Sequence, residues 1–263
     1  MLATEDIRVT LGRTEILHGI AFCAAPGALT AIVGPNGSGK TTLLRAMTGD
    51  VAYSGRVTLE GADLATMKPW QLAARRAVLP QATRLAFPFT VLEVVRLGLS
   101  AGAEAAQAGL AEQALDRVGL AGFGGRFYQE LSGGEQQRVQ LARVLVQVWA
   151  PVKDGRPSWL FLDEPVASLD IGHQLEVMAL ARDYARAGGG VVAVMHDLNL
   201  TAIYADSVAM IHAGRLVRQG PPPEVLTDAI LSAAYGCPLR VNRPAPPGAT
   251  YILPHSAAET PPH

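Results

Sequence analysis

Gly34-Pro35-Asn36-Gly37-Ser38-Gly39-Lys40-Thr41-Thr42 says most about how this chain folds. It fits the spacing G-x-x-x-x-G-K-[ST], and it stands between a short apolar run, residues 29–33, and a stretch expected to be helical from Lys40. In that setting Gly34, Gly37 and Gly39 let the backbone wrap closely round a chain of phosphates. Successive N–H groups and the helix N-terminus then point at anionic oxygens. Lys40 supplies a mobile positive charge for the β and γ phosphates, and the Thr41 hydroxyl is a natural magnesium ligand. A glycine-rich turn without a ligand is the plainer alternative. The flanking strand and helix count against it.

Outward from the loop, short apolar runs alternate with helical patterns, which predicts an α/β fold with parallel strands. Strands are expected at residues 7–11, 20–24, 29–33, 159–162 and 191–195. The last two run directly into polar residues at their carboxyl ends, where open α/β sheets hold ligands. Residues 69–129 read as largely helical, with helices expected at 70–77, 90–99 and 103–118, and therefore as a helical subdomain inserted into the α/β core. Residues 151–157, with Lys153, Asp154 and Gly155 between prolines, are expected to be a polar loop. The proline-rich tail, residues 238–263, is expected to lie extended on the surface or to be partly disordered.

The composition excludes several classes. Over 263 residues, 22 Lys+Arg face 23 Asp+Glu, a net charge of -1, so the basic excess of a nucleic-acid binder is missing. At 49% hydrophobic and 17% charged the chain is expected to be globular. Glu5 and Asp6 near the start argue against a signal peptide, and every apolar run is far shorter than the roughly 18 residues of a membrane span. Cys23 and Cys237 are too few for a disulfide framework or a zinc site, which favours a reducing cytosol.

A phosphate loop needs an acidic element to hold its metal, and Leu160-Phe161-Leu162-Asp163-Glu164 provides one. Asp163 can bind magnesium directly or through water. Glu164 can polarise an attacking water as general base. Leu131-Ser132-Gly133-Gly134-Glu135-Gln136-Gln137-Arg138 is the most discriminating segment. Ser132 is placed to cap a helix running to about residue 148, which makes a second anion site. Adjacent glycines in a first helical turn weaken a helix, and close approach of a ligand explains them better.

With these residues in place, the chain resembles the ATP-binding subunits of ABC transporters, from its first strand to about Gly236. Residues 34–42 are similar to Walker A, Gln81 to the Q-loop, 131–136 to the signature and 160–164 to Walker B. Ser168-Leu169-Asp170 resembles the D-loop, and His196 the switch histidine. The resemblance implies an α/β P-loop NTPase core of the ABC ATPase type, with an antiparallel β subdomain and an inserted helical subdomain, over residues 1–237. It implies ATP and Mg2+ as ligands. Glu164, His196 and Gln81 would be catalytic, with metal ligation by Thr41, Gln81 and Asp163. Nucleotide contacts would come from Gly34, Pro35, Asn36, Gly37, Ser38, Gly39, Lys40, Thr41 and Thr42, and from Ser132, Gly133, Gly134 and Glu135. It further implies a head-to-tail homodimer in which each ATP lies between one chain's Walker A and the other's signature, which would account for the second anion site. Two transmembrane permease subunits would be partners, met by the segment after Gln81, with the chain peripheral on the cytoplasmic face of the cell membrane. Leu11 stands where the family usually has an aromatic residue for adenine, Val166 where it has Thr, and the link containing 151–157 is longer than is common.

The absence of membrane spans and the single phosphate loop make the chain look like a separate importer subunit. Residues 78–98 are similar to the ATPases of vitamin B12, ferric-siderophore and haem importers. The portion Leu85-Ala86-Phe87-Pro88-Phe89 and the long 151–157 link are most like haem importers. That likeness implies import of haem, delivered to the permease by a periplasmic or surface haem-binding protein. Ferric-siderophore or vitamin B12 import is the alternative. A soluble ABC ATPase of DNA repair or translation would usually carry paired cassettes, large insertions or a basic surface. A P-loop switch or kinase would have no use for residues 131–136.

Overall fold

In the computed structural model, which describes residues 1–81, 85, 87–99, 109–244, 246, 248–250 and 252–254, the run before the glycine-rich loop is a fully buried central strand. The strands are β1 (Leu2–Leu11), β2 (Thr14–Ala24), β3 (Leu29–Val33), β4 (Ser54–Leu59), β5 (Ala62–Asp63), β6 (Arg76–Leu79), β7 (Val152–Lys153), β8 (Arg156–Pro157), β9 (Trp159–Asp163), β10 (Gly190–Val194), β11 (Ser207–His212) and β12 (Arg215–Gly220). The helices are α1 (Lys40–Thr48), α2 (Pro69–Ala73), α3 (Val91–Leu99), α4 (Leu110–Arg117), α5 (Gly133–Gln147), α6 (Ile171–Arg186), α7 (Leu198–Tyr204), α8 (Pro222–Val225) and α9 (Asp228–Tyr235).

Two sheets carry the architecture. An antiparallel sheet of order β2-β1-β4-β5 packs beside a six-stranded sheet of order β12-β11-β3-β10-β9-β6, parallel except for the edge pair β11–β12. The period-2 alternation of a strand splits the core in two. Trp159, Phe161, Val192, Val194 and Ile32 join one cluster with α1 and the antiparallel sheet. Leu160, Leu162, Val191, Ala193, Ala31 and Val33 join the other, with α5 and α6. Trp159 and Phe161 are fully buried, and a phenylalanine so placed contributes on the order of 1.5–3 kcal/mol.

The sheet order positions the site. The parallel strands β3, β10, β9 and β6 are neighbours, so the residues just past their carboxyl ends fall side by side: the loop from Gly34, then His196, Glu164 and Gln81. The strand β10 begins and ends one residue before the expected 191–195, and the first two strands are longer than expected and form a hairpin.

Two expectations are corrected. The helix expected at 70–77 stops at Ala73, and Arg76–Leu79 is instead the edge strand β6, paired in parallel with β9 from Arg76↔Trp159 to Leu79↔Leu162. Alanine and arginine favour helix locally, but the ladder with a buried strand outweighs that preference. A strand of the main sheet thus lies inside the 69–129 range. The polar loop at 151–157 is a hairpin of β7 and β8, with Asp154 at φ 50 and Gly155 at φ 71 between them. Asp-Gly is a favoured two-residue hairpin turn, so the signal was present in the sequence. The helix expected at 103–118 is described only as α4; residues 100–108 lie outside the described residues. In the tail, Leu239 and Val241 pack on the core, and the Val241 N–H donates to Asp228, while residues 245, 247, 251 and 255–263 lie outside the described residues.

Candidate active site

The glycine-rich loop joins β3 to α1, and two of its glycines have no room for a side chain. A Cβ on Gly34, at φ 150, would lie 2.0 Å from the Ile211 carbonyl, and one on Gly39, at φ 103, would lie 2.7 Å from Leu17. Gly37, at φ 74, has nothing near it, so its requirement is conformational. The loop encloses a cavity of about 610 Å³ whose wall takes residues 36–42 together with Gln81, Glu164 and His196. The Ser38 hydroxyl lines this cavity, buried and without a hydrogen-bond partner, so that an anionic oxygen entering the loop would satisfy it.

Lys40 is 6% exposed, and its ammonium turns back to donate to the carbonyls of Gly34 at 2.8 Å and Pro35 at 3.0 Å. Burial pushes its pKa down, while Glu164 and Asp163 pull it back up. The Thr41 hydroxyl donates to Asp163 Oδ1 at 3.0 Å. Asp163 is 4% exposed, and its carboxyl is raised above the ordinary range by burial, an effect the Thr41 hydrogen bond opposes and Glu164 reinforces.

Glu164 is held on both carboxylate oxygens. Gln81 Nε2 donates to Oε2 at 3.0 Å, and His196 Nε2 lies 2.5 Å from Oε1. Gln81 and His196, far apart in sequence, thus meet on one carboxylate because β6, β9 and β10 are adjacent. Leu11, 45% exposed at the end of β1, and Ile16 on β2 give the same cavity an aliphatic wall.

Ser132, Gly133, Gly134 and Glu135 lie elsewhere. They line a second cavity of about 420 Å³ with Ser168 and Asp170, and it shares no residue with the first. Ser132 caps α5: its hydroxyl accepts from the Glu135 N–H at 3.3 Å, while the Glu135 carboxylate accepts from the Ser132 N–H at 2.7 Å. The Ser132 side chain and the Ser132 N–H hold the Glu135 carboxyl below the usual range. Gly134 packs against the 168–169 segment, where a Cβ would sit 3.2 Å from the Ser168 carbonyl. The sequence reading missed Ile16, His173 beside Asp170, and Gln137, whose side-chain amide reaches the Glu164 carbonyl at 3.0 Å. Only Gln137 carried a signal, since it lies one helical turn beyond the paired glycines.

A model described as ABC transporter matches residues 17–167. The chain belongs to the ABC transporter family. Its fold is that of the ABC ATPase cassette, an α/β P-loop architecture with an antiparallel sheet beside it. The chain is 68% identical over 260 residues to the hemin import ATP-binding protein HmuV of Jannaschia sp. (strain CCS1), covering 99% of this chain and 96% of that one. It is 58% identical to the protein of the same name from Rhizobium meliloti (strain 1021), covering 98% and 99%. Among solved structures, the dimeric cassette MJ0796 of a bacterial ABC transporter is 25% identical with a TM-score of 0.73, covering 84% of this chain and 99% of that one. The ADP conformation of the ATP-binding cassette MJ1267 of an ABC transporter is also 25% identical, with a TM-score of 0.75, covering 89% and 98%. The first cavity gathers the residues that resemble Walker A, Walker B, the Q-loop and the switch histidine, and the second those that resemble the signature and the D-loop.

Proposed function

We propose that this chain is the ATP-hydrolysing subunit of an ABC importer and powers the passage of hemin through a membrane permease. The observation that carries the ATPase reading is the meeting of the 36–42 loop, with Lys40 in it, and Gln81, Glu164 and His196 in one cavity, with Asp163 behind Thr41. Hemin as cargo rests on the relatives named for hemin import, which match nearly the whole chain. Ferric-siderophore or vitamin B12 import is the alternative.

In this reading the loop N–H groups and the Ser38 hydroxyl take the phosphate oxygens, and the Lys40 ammonium leaves the Gly34 and Pro35 carbonyls for the β and γ phosphates. Leu11 and Ile16 cover the adenine with apolar surface in place of a stacked ring. Thr41 and Asp163 fit Mg2+: both offer hard oxygen donors and already lie 3.0 Å apart, and the buried carboxyl gains a counter-charge. No cluster of three or more His, Cys, Asp or Glu that could hold a metal occurs among the described residues, which suits an ion that takes its remaining ligands from phosphate and water. Bound Mg2+, with Gln81 as a further ligand, would neutralise phosphate charge. Glu164 accepts a proton from the water that attacks the γ-phosphorus, and the bond to the β-γ bridging oxygen breaks. His196 orients Glu164 and reaches the γ-phosphate.

The second cavity offers another helix end, the start of α5, in addition to the start of α1 in the first. A head-to-tail pair of chains places each ATP between the 34–42 loop of one and residues 132–135 of the other. Loss of the γ-phosphate removes that bridge and reopens the pair. No helix of the described residues is long and apolar enough to cross a membrane, so the permease must supply the spans. Trp70 and Phe87, 66% and 68% exposed, give two permease subunits apolar surface to meet, with the chain peripheral on the cytoplasmic face of the cell membrane. A periplasmic or surface haem-binding protein acts only through the permease. The test is ATPase activity of the reconstituted transporter with hemin-loaded, siderophore-loaded and cobalamin-loaded binding protein. Hemin should stimulate it most; an equal or larger response to another cargo overturns the assignment.

A further inference from the structure

The peptide of Glu164 has an unusual backbone and few supports. Its φ is 53, in the left-handed region that a residue with a side chain enters only when its surroundings hold it there. Three hydrogen bonds do so. The Glu164 N–H donates to the Val194 carbonyl at 3.2 Å, and the Glu164 carbonyl accepts from Gln137 Nε2 at 3.0 Å and from the Ala167 N–H at 3.4 Å. The first bond comes from the neighbouring strand of the sheet, which is fixed. The second comes from α5, whose first turn carries Gly133 and Gly134 on the wall of the second cavity.

The stretch that follows is tied to the Glu164 carbonyl by the Ala167 N–H and, beyond that, to α6. Gln174 of α6 donates to the carbonyls of Val166 at 3.3 Å and Leu169 at 3.0 Å, and Gly134 packs against the Ser168 carbonyl. The Glu164 peptide is therefore the place where a shift of α5 is felt by the carboxylate that Gln81 and His196 hold. We propose that Gln137 is a positioning residue, which links the helix end lining the second cavity to the carboxylate of Glu164 in the same chain. Occupation of one nucleotide site would thereby set the geometry of the base in the other.

This inference rests on the reading of Glu164 as the base. Its test uses the full-length chain. Gln137→Met keeps the length and helix preference of the side chain and removes the N–H donor. It is expected to lower kcat about tenfold while leaving the Kd for a fluorescent ATP analogue unchanged, and to bring the Hill coefficient for ATP closer to one. Gln137→Lys restores a donor and should recover kcat to within about threefold of the wild type. A residue that only stabilised the fold would lower Tm and weaken ATP binding along with turnover. The inference is overturned if Gln137→Met keeps kcat within about twofold, if Kd weakens in step with kcat, or if the Lys variant is no better than the Met variant. Should the Met variant fail to fold, Gln137→Glu, an acceptor alone, takes its place in the comparison. Glu164→Gln is assayed in parallel. Normal turnover there overturns both the base and this link; a silent Glu164→Gln beside a fully active Gln137→Met overturns the link alone.

Discussion

Lys40 is held by two opposed effects. Burial disfavours its charge, and Glu164 and Asp163 favour it, while the ammonium satisfies itself on two neutral carbonyls, Gly34 and Pro35. Phosphate oxygens make stronger, charge-assisted partners than those carbonyls. Lys40→Ala is expected to weaken ATP binding about tenfold or more, read by titration with a fluorescent analogue; an unchanged affinity would refute the phosphate-loop role. Asp163 gives a prediction of the opposite kind. Burial raises its folded pKa above the unfolded value, so the folded chain keeps a proton at pH values where the unfolded chain has released it. Stability then falls as pH rises from the ordinary carboxylate pKa, about 3.9, to the raised one, and the deficit persists above that window. Without nucleotide, Asp163→Asn should melt at or above the wild-type Tm near neutral pH, with the gap closing toward about pH 4. It should also lose the Tm increase that Mg2+ with ATP gives the wild type. A variant that melts well below the wild type near neutral pH and keeps that increase would contradict the assignment. At this scale the sequence was informative, because loop spacing names Lys40 and Thr41 and an apolar run ending in two acids names Asp163 and Glu164. It was silent on Ile16, which reaches the cavity only because β1 and β2 form a hairpin.

Helix α5 belongs to both cores of function: it lines the second cavity at its first turn and packs under the helical insertion further along. Its contact with α3 passes through Gly98, where a Cβ would lie 1.9 Å from the Arg143 carbonyl and 2.7 Å from Val146. Neither neighbour can retreat cheaply, since both sit on a helix with a buried face. Gly98→Ala is expected to cost about 1–3 kcal/mol and to lower Tm by several degrees in a thermal melt, although alanine is the better helix former. An unchanged Tm would mean that the two helices separate freely. Elements also show where local reading fails. The sequence from Ala73 to Ala77 favours helix, yet Arg76–Leu79 is drawn into the sheet by β9, and no local pattern could reveal that partner. The 151–157 hairpin was legible through Asp154-Gly155, a turn signal that the surrounding prolines obscured.

At the scale of the molecule, the proposed pair of chains would join two cavities that share no lining residue within one chain. Glu164→Gln, expected to bind ATP without consuming it, should shift from the monomer to the dimer position in size-exclusion chromatography when ATP and Mg2+ are added, and ADP should leave it monomeric. A Glu164→Gln chain that stays monomeric with ATP would argue against the head-to-tail arrangement. The sequence by itself determined the phosphate-binding chemistry, because that chemistry depends on residue types at fixed short spacings: glycines the backbone needs, a lysine and a threonine at a helix start, two acids after a strand, a serine before paired glycines. Only the tertiary structure decided which of these residues meet. The order β3-β10-β9-β6 brings Gln81 and His196 onto Glu164 across long stretches of chain, and the start of α5 falls outside that cluster. Strand order is set by hydrogen-bonded ladders and by the packing of both sheet faces, which are long-range contacts that no local pattern encodes.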